Sequence, residues 1–142
     1  MTHISPLLRF RREAREALEF YRSVFGGDLR LETYADLGAR EAGHPDADLI
    51  MYGKLDTPWG SRLVAVDEPW AETAKRGAVS IWFSGTDPLE LRSCWTRLSH
   101  GATVTRTLDV APWGDSFGML VDKFEVPWEV SIHDSGEVYR RH

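Results

Sequence analysis

Glu129 is the residue of this sequence best placed for chemistry, because of the strand that carries it. From Pro127 to His133 the side chains alternate, Trp128, Val130 and Ile132 against Glu129, Ser131 and His133. A carboxylate on such a mixed face, set in a partly apolar pocket, has its pKa raised and can act as a general base. The structural alternative is a salt bridge to Arg9 with no chemistry. Ala78 to Ser84 repeats the pattern, with Val79, Ile81 and Phe83 opposing Ser80, Trp82 and Ser84. Helices must bury their apolar stripes, so the wholly apolar faces should lie beneath them. Ser80, Trp82, Glu129 and Ser131 are then left to line a surface of the kind small-molecule pockets use, apolar with a few placed polar groups. Trp82 is the candidate for stacking on a ligand, against plain packing.

Other reactive residue types read as structural. Asp67 and Asp122 follow apolar strands and are expected to cap turns. Cys94, the only cysteine, rules out an intramolecular disulfide and any multi-cysteine zinc site, and lies on a helical stripe as inert core. His3 sits at the N-terminus, His44 in a loop, His100 at a helix end where the dipole favours it, and His133 and His142 near the tail. All five are expected to be structural. No Ser/His/Asp or Cys/His arrangement, phosphate-binding glycine motif or glycine-rich motif for S-adenosylmethionine is apparent. Of six tryptophans, Trp95 and Trp128 should be core and Trp70 lies in a connection. Trp59 and Trp113 occupy Pro-Trp-Gly turns, overhanging a pocket mouth or packing at a subunit contact.

The elements that must position these residues come in two runs. Ser5 to Phe10 reads as a strand, then Ala14, Ala17, Leu18, Tyr21, Val24 and Phe25 recur at helical spacing until Gly26-Gly27. Strands follow at Leu29 to Tyr34, Leu49 to Leu55 and Arg62 to Val66, with a mobile loop expected over Ala35 to Asp48. The order then repeats. After the strand Ala78 to Ser84, Asp87 caps a helix with Pro88 in first position and Glu90 completing a capping box. Leu91, Cys94, Trp95 and Leu98 form its stripe and Gly101 closes it. Strands follow at Thr103 to Val110, Ser116 to Asp122 and Pro127 to His133, the first setting Thr103, Thr105 and Thr107 against Val104, Arg106 and Leu108. Each half therefore reads strand, helix, strand, strand, strand.

Composition bounds the function. The chain has 142 residues, 42% apolar and 27% charged, which suits one globular domain. Seventeen Lys+Arg against 22 Asp+Glu leave a net charge of −5, which argues against broad binding to nucleic acid or anionic membranes. No apolar run approaches the roughly 20 residues of a membrane helix. Met1 to Pro6 lacks the features of a signal peptide, so a cytoplasmic location is expected.

Three stretches resemble the vicinal oxygen chelate superfamily, which includes glyoxalase I, dioxygenases and bleomycin-resistance proteins, and within it the bacterial PhnB-like branch. They are Leu8-Arg9-Phe10 with Glu16 to Gly27, Leu49 to Leu55, and Trp113 to Phe124 followed by Trp128. The resemblance implies an α+β fold in which two βαβββ modules form a cupped mixed β-sheet with helices on the outer face. Residues 1–142 would be a single glyoxalase-like domain, made of module 1–70 and module 77–134. Tyr52 stands where the branch commonly has histidine, which puts in doubt any activity that depends on it. Glu125 replaces the glycine usual after Asp-x-Phe, implying a looser or differently shaped turn. Superfamily enzymes hold a divalent cation at positions that map near Ser5, Asp67, Ser80 and Glu129. Two carboxylates, two hydroxyls and no histidine fall short of the three or so N/O ligands of a catalytic site. The expectation is no cofactor and no tightly bound metal, although the carboxylates could hold hydrated Mg²⁺ or Ca²⁺ loosely. The resemblance, taken with that donor set, implies a small-molecule binding protein using Arg9, Tyr52, Ser80, Trp82, Glu129 and Ser131, with Glu129 as the one catalytic candidate. The alternative is a metal-dependent lyase, isomerase or dioxygenase of the glyoxalase type. Relatives form dimers, so a homodimer is expected.

Overall fold

The computed structural model describes residues 2–71 and 79–133. They belong to two compact units, 1–74 and 75–142. In the first, β1 (Leu7–Phe10) leads through α1 (Ala14–Phe25) to β2 (Asp28–Thr33), β3 (Ile50–Asp56) and β4 (Arg62–Asp67). The sheet order is β1-β4-β3-β2, with β1 parallel to β4 and the other pairs antiparallel. In the second, β5 (Ile81–Gly85) leads through α2 (Pro88–Leu98) to β6 (Thr103–Val110), β7 (Ser116–Val121) and β8 (Pro127–Ile132). Its order, β5-β8-β7-β6, repeats the first, again with the first and last strands parallel. Two four-stranded mixed sheets, each with one helix, give the α+β βαβββ pair expected from the sequence.

The helices form where the apolar spacing placed them. Ala14, Ala17, Leu18, Tyr21, Val24 and Phe25 are all buried on α1, and Gly26 and Gly27 end it at φ 79° and 103°. Residue 27 must be glycine, because a Cβ there would lie 2.2 Å from the Asp56 carbonyl oxygen. On α2, Asp87 accepts from the backbone N–H of Leu89 and Glu90, and Leu91, Cys94 and Leu98 are buried. Phe83 and Trp95 pack on a cluster of Leu91, Leu108, Val130 and Ile132. Burial pushes the Cys94 thiol pKa up, which suits inert core.

Close approach of helix to sheet uses the same device twice. Gly53 on β3 and Gly118 on β7 face their helices, and a Cβ at either would clash. At Gly53 it would meet a Leu18 methyl at 2.6 Å, and at Gly118 the Trp95 ring at 2.8 Å and the Leu108 Cα at 2.9 Å.

Several readings change. The 35–48 segment is a series of hydrogen-bonded turns with Ala47 buried, tied by Tyr34 N–H to Leu49 and Ala35 N–H to Ala47. Val79, expected beneath a helix, is 74% exposed, because β5 begins only at Ile81. Arg106 and Leu108, expected on one face, part company. Register shifts on β6 between Val104 and Asp109 turn Leu108 into the core while Arg106 reaches the rings of Trp113 and Phe117. Glu125 does not reshape its turn. It adopts the left-handed φ of 68° that glycine would supply, held by Asp122 accepting from the N–H groups of Phe124 and Val126. Asp122 also accepts from the buried Trp128 indole at 2.8 Å, so it is the turn-capping carboxylate expected.

No helix among the described residues is long and apolar enough to cross a membrane.

Candidate functional site

The face of the second sheet turned away from α2 gathers aromatic and polar side chains. Strand alternation places Trp82 and Ser84 there from β5, Phe117 and Met119 from β7, and Glu129 and Ser131 from β8. The registers set Trp82 beside Glu129, Ser84 beside Ser131, Phe117 beside Ser131 and Met119 beside Glu129. The rings of Trp82 and Phe117 lie 5.9 Å apart, and Trp113 meets Phe117 edge-on at 5.5 Å. Arg106 lies over both Phe117 and Trp113, at 5.2 and 5.5 Å from the ring centroids. This cation reinforces the ring faces it covers. Trp82 remains 55% exposed and Trp113 49% exposed, large apolar surfaces presented on a sheet face.

Beside the aromatics lies a buried polar group. Asp115, at the end of the Pro112-Trp113-Gly114 turn, sits 3.2 Å from the Nδ1 of His133, and both side chains are buried. The contact with the carboxylate holds the imidazole ring in one orientation. Asp115 Oδ1 and Ser131 Oγ have no hydrogen-bond partner among the described residues.

The residues expected from sequence divide between the units. Trp82, Glu129 and Ser131 share the face just described. Ser80 precedes β5 and is exposed. Arg9 and Tyr52 belong to the first unit. Arg9 pairs with Glu68 at 3.2 Å, and half-buried Tyr52 stands opposite Glu32 on the face away from α1. Arg106, Trp113, Phe117, Asp115 and His133 are the additions. His133 was legible, since it continues the alternation of Glu129 and Ser131, but its nearness to the tail hid it.

The donor set does not fit a catalytic metal. Of the four positions where the superfamily places ligands, Asp67 faces the helix instead. Its Oδ1 accepts from Ala14 N–H at 3.0 Å and its Oδ2 from Ile50 N–H at 2.9 Å, at 1% exposure. Burial pushes its pKa up while those two donors pull it down. Tyr34 donates to the Asp67 carbonyl at 2.6 Å, so the residue is a structural knot. With Asp67 spent, Glu129 is the one carboxylate left at those positions, and no group of three His, Cys, Asp or Glu able to hold a metal occurs among the described residues.

Two four-stranded sheets of this order, each carrying one helix, define a glyoxalase-like fold. A structure of a glyoxalase/bleomycin resistance protein/dioxygenase superfamily member from Sphaerobacter thermophilus is similar at TM-score 0.60 and 14% identity, over 94% of this chain and 98% of that one. A PhnB protein from Bacillus cereus is similar at TM-score 0.74 and 20% identity, over 93% and 100%. Protein PA1353 from Pseudomonas aeruginosa reaches TM-score 0.79 and 28% identity, over 95% and 100%. Residues 2–131 match the family described as 3-demethylubiquinone-9 3-methyltransferase, so the chain belongs to that family. No curated protein matches.

Proposed function

We propose that the protein binds a small organic molecule with an aromatic portion on the face of the second sheet away from α2. The observation that carries this reading is the pair of half-exposed indoles, Trp82 and Trp113, packed on Phe117 and flanked by Arg106. Soluble domains rarely leave large apolar patches unused, and ring stacking supplies both area and orientation. Glu129 and Ser131 contribute the polar contacts, with Glu129 beside Trp82 in register. Binding proceeds without a tightly held metal, because Asp67 is committed to backbone N–H groups and the hydroxyls of Ser5 and Ser80 are poor ligands. The family description does not by itself bring methyl transfer to this chain, whose sequence carries no glycine-rich motif for S-adenosylmethionine.

The test is a tryptophan-fluorescence titration with a panel of aromatic small molecules, on wild type and Trp82→Ala. Quenching that saturates for wild type and weakens in the variant supports the reading. A panel without any saturating member contradicts it. Elemental analysis after dialysis should find well under one Zn, Ni, Mn or Fe per chain. A stoichiometric metal lost on Glu129→Gln would instead favour the lyase, isomerase or dioxygenase reading.

The same reading includes a homodimer located in the cytoplasm. Each sheet ends on two edge strands, β1 and β2 or β5 and β6, and pairing is the usual way to protect such edges. A sedimentation mass near 16.1 kDa at micromolar concentration would contradict the dimer.

A further inference from the structure

We infer that the hydroxyl group of a neutral aromatic ligand is anchored between Asp115 and Ser131, a step that rests on the binding proposal above. Asp115 is 3% exposed and Ser131 1%, yet Asp115 Oδ1 and Ser131 Oγ lack a hydrogen-bond partner among the described residues. Buried polar atoms in folded proteins are nearly always paired, so two orphans on one sheet face mark a place where a further group belongs. Their placement is close. Phe117 stands opposite Ser131, and Asp115, two residues before Phe117, meets His133, two residues after Ser131, so Asp115 and Ser131 occupy diagonal positions on the paired strands.

The chemistry of the two atoms selects the group. The Asp115 carboxyl group offers Oδ1 as an acceptor, and its Oδ2 already faces the His133 Nδ1. Ser131 Oγ can donate one hydrogen bond. A hydroxyl satisfies both, giving its proton to Asp115 Oδ1 and accepting from Ser131 Oγ–H. A carboxylate or phosphate would meet the Asp115 charge. An ammonium could donate to Asp115 but would leave the Ser131 proton unused, and Arg106 already supplies a cation to this face, where Glu129 and Asp109 are the further carboxylates. Trp82, Phe117 and Trp113 beside the anchor suit a flat ring carrying that hydroxyl. The ligand class is therefore a phenol or naphthol rather than an aryl acid or aryl amine.

The experiment is calorimetric titration at pH 7 with 2-naphthol and with 2-methylnaphthalene, which keeps the shape and loses the hydroxyl. Wild type should prefer 2-naphthol by roughly tenfold or more, since a site built to pair a hydroxyl rejects the analogue without it. Ser131→Ala and Asp115→Asn should each reduce that preference to under about threefold while leaving 2-methylnaphthalene affinity unchanged. Ser131→Ala removes an atom without a partner and keeps the small volume, so it reads the anchor even if Asp115→Asn disturbs His133. Equal binding of both probes by wild type would overturn the anchor and leave the aromatic surface standing, with water filling the orphans. An undiminished preference in Ser131→Ala and Asp115→Asn would also overturn it. Binding of neither probe would overturn the anchor together with the reading beneath it.

Discussion

The two sheets share one strand order but treat the polar groups on the faces away from their helices differently. In the first, charge answers charge. Arg30 pairs with Glu32 at 2.8 Å, Lys54 and Arg62 both hold Asp56, and Arg9 holds Glu68. The Arg62 hydrogen bond keeps the Asp56 carboxyl below the usual carboxylate range. In the second, aromatic rings occupy the corresponding face, and two buried polar atoms stay unmatched. Repeating a fold therefore leaves the two faces free to diverge, one toward paired charges and the other toward aromatic rings and unmatched polar atoms.

The buried aspartates put that contrast to its severest test. Asp67 has both oxygens engaged, so Asp67→Ala strands two buried N–H groups and should cost about 3 kcal/mol or more in urea unfolding. Asp115→Asn keeps an oxygen for His133 and removes a charge that is only half satisfied, so it should cost about 1 kcal/mol or less. If the two substitutions cost the same, the distinction between structural and unmet polar groups fails. Gly118→Ala should cost about 1–3 kcal/mol by the same measurement, because backbone at Leu108 obstructs the new methyl. Gly53→Ala should cost less, since its nearest obstacle is a flexible Leu18 methyl, with the Ala65 carbonyl oxygen further off at 3.3 Å.

The fold was legible because its signals are local. Apolar spacing, the Asp87-Pro88 start and the Gly26-Gly27 stop each belong to one element, and alternation placed Trp82 and Phe83 on opposite sides of β5. The site was legible only in part. Arg106 was misplaced because a bulge breaks strand parity, which composition does not reveal. Asp115 was hidden in a Pro-Trp-Gly turn, and its value comes from His133, which joins it only through the β7·β8 register.

Smaller effects sharpen the contrast. Trp82→Ala should weaken binding of an aromatic ligand by about 1–3 kcal/mol in fluorescence titration. Trp59→Ala, which removes an indole packed edge-on against Phe25 in the first unit, should leave that affinity unchanged. Glu125→Gly should raise unfolding stability by up to about 1 kcal/mol, because glycine adopts positive φ without strain and Asp122 still holds the turn.

The most direct test of the contrast between the faces is backbone amide NMR during a titration with 2-naphthol. The second face predicts shifts that saturate together at Trp82, Arg106, Phe117, Glu129 and Ser131, while Arg30, Lys54 and Arg62 stay still. Saturating shifts confined to Arg30, Lys54 and Arg62 would contradict it and place the ligand on the charged sheet.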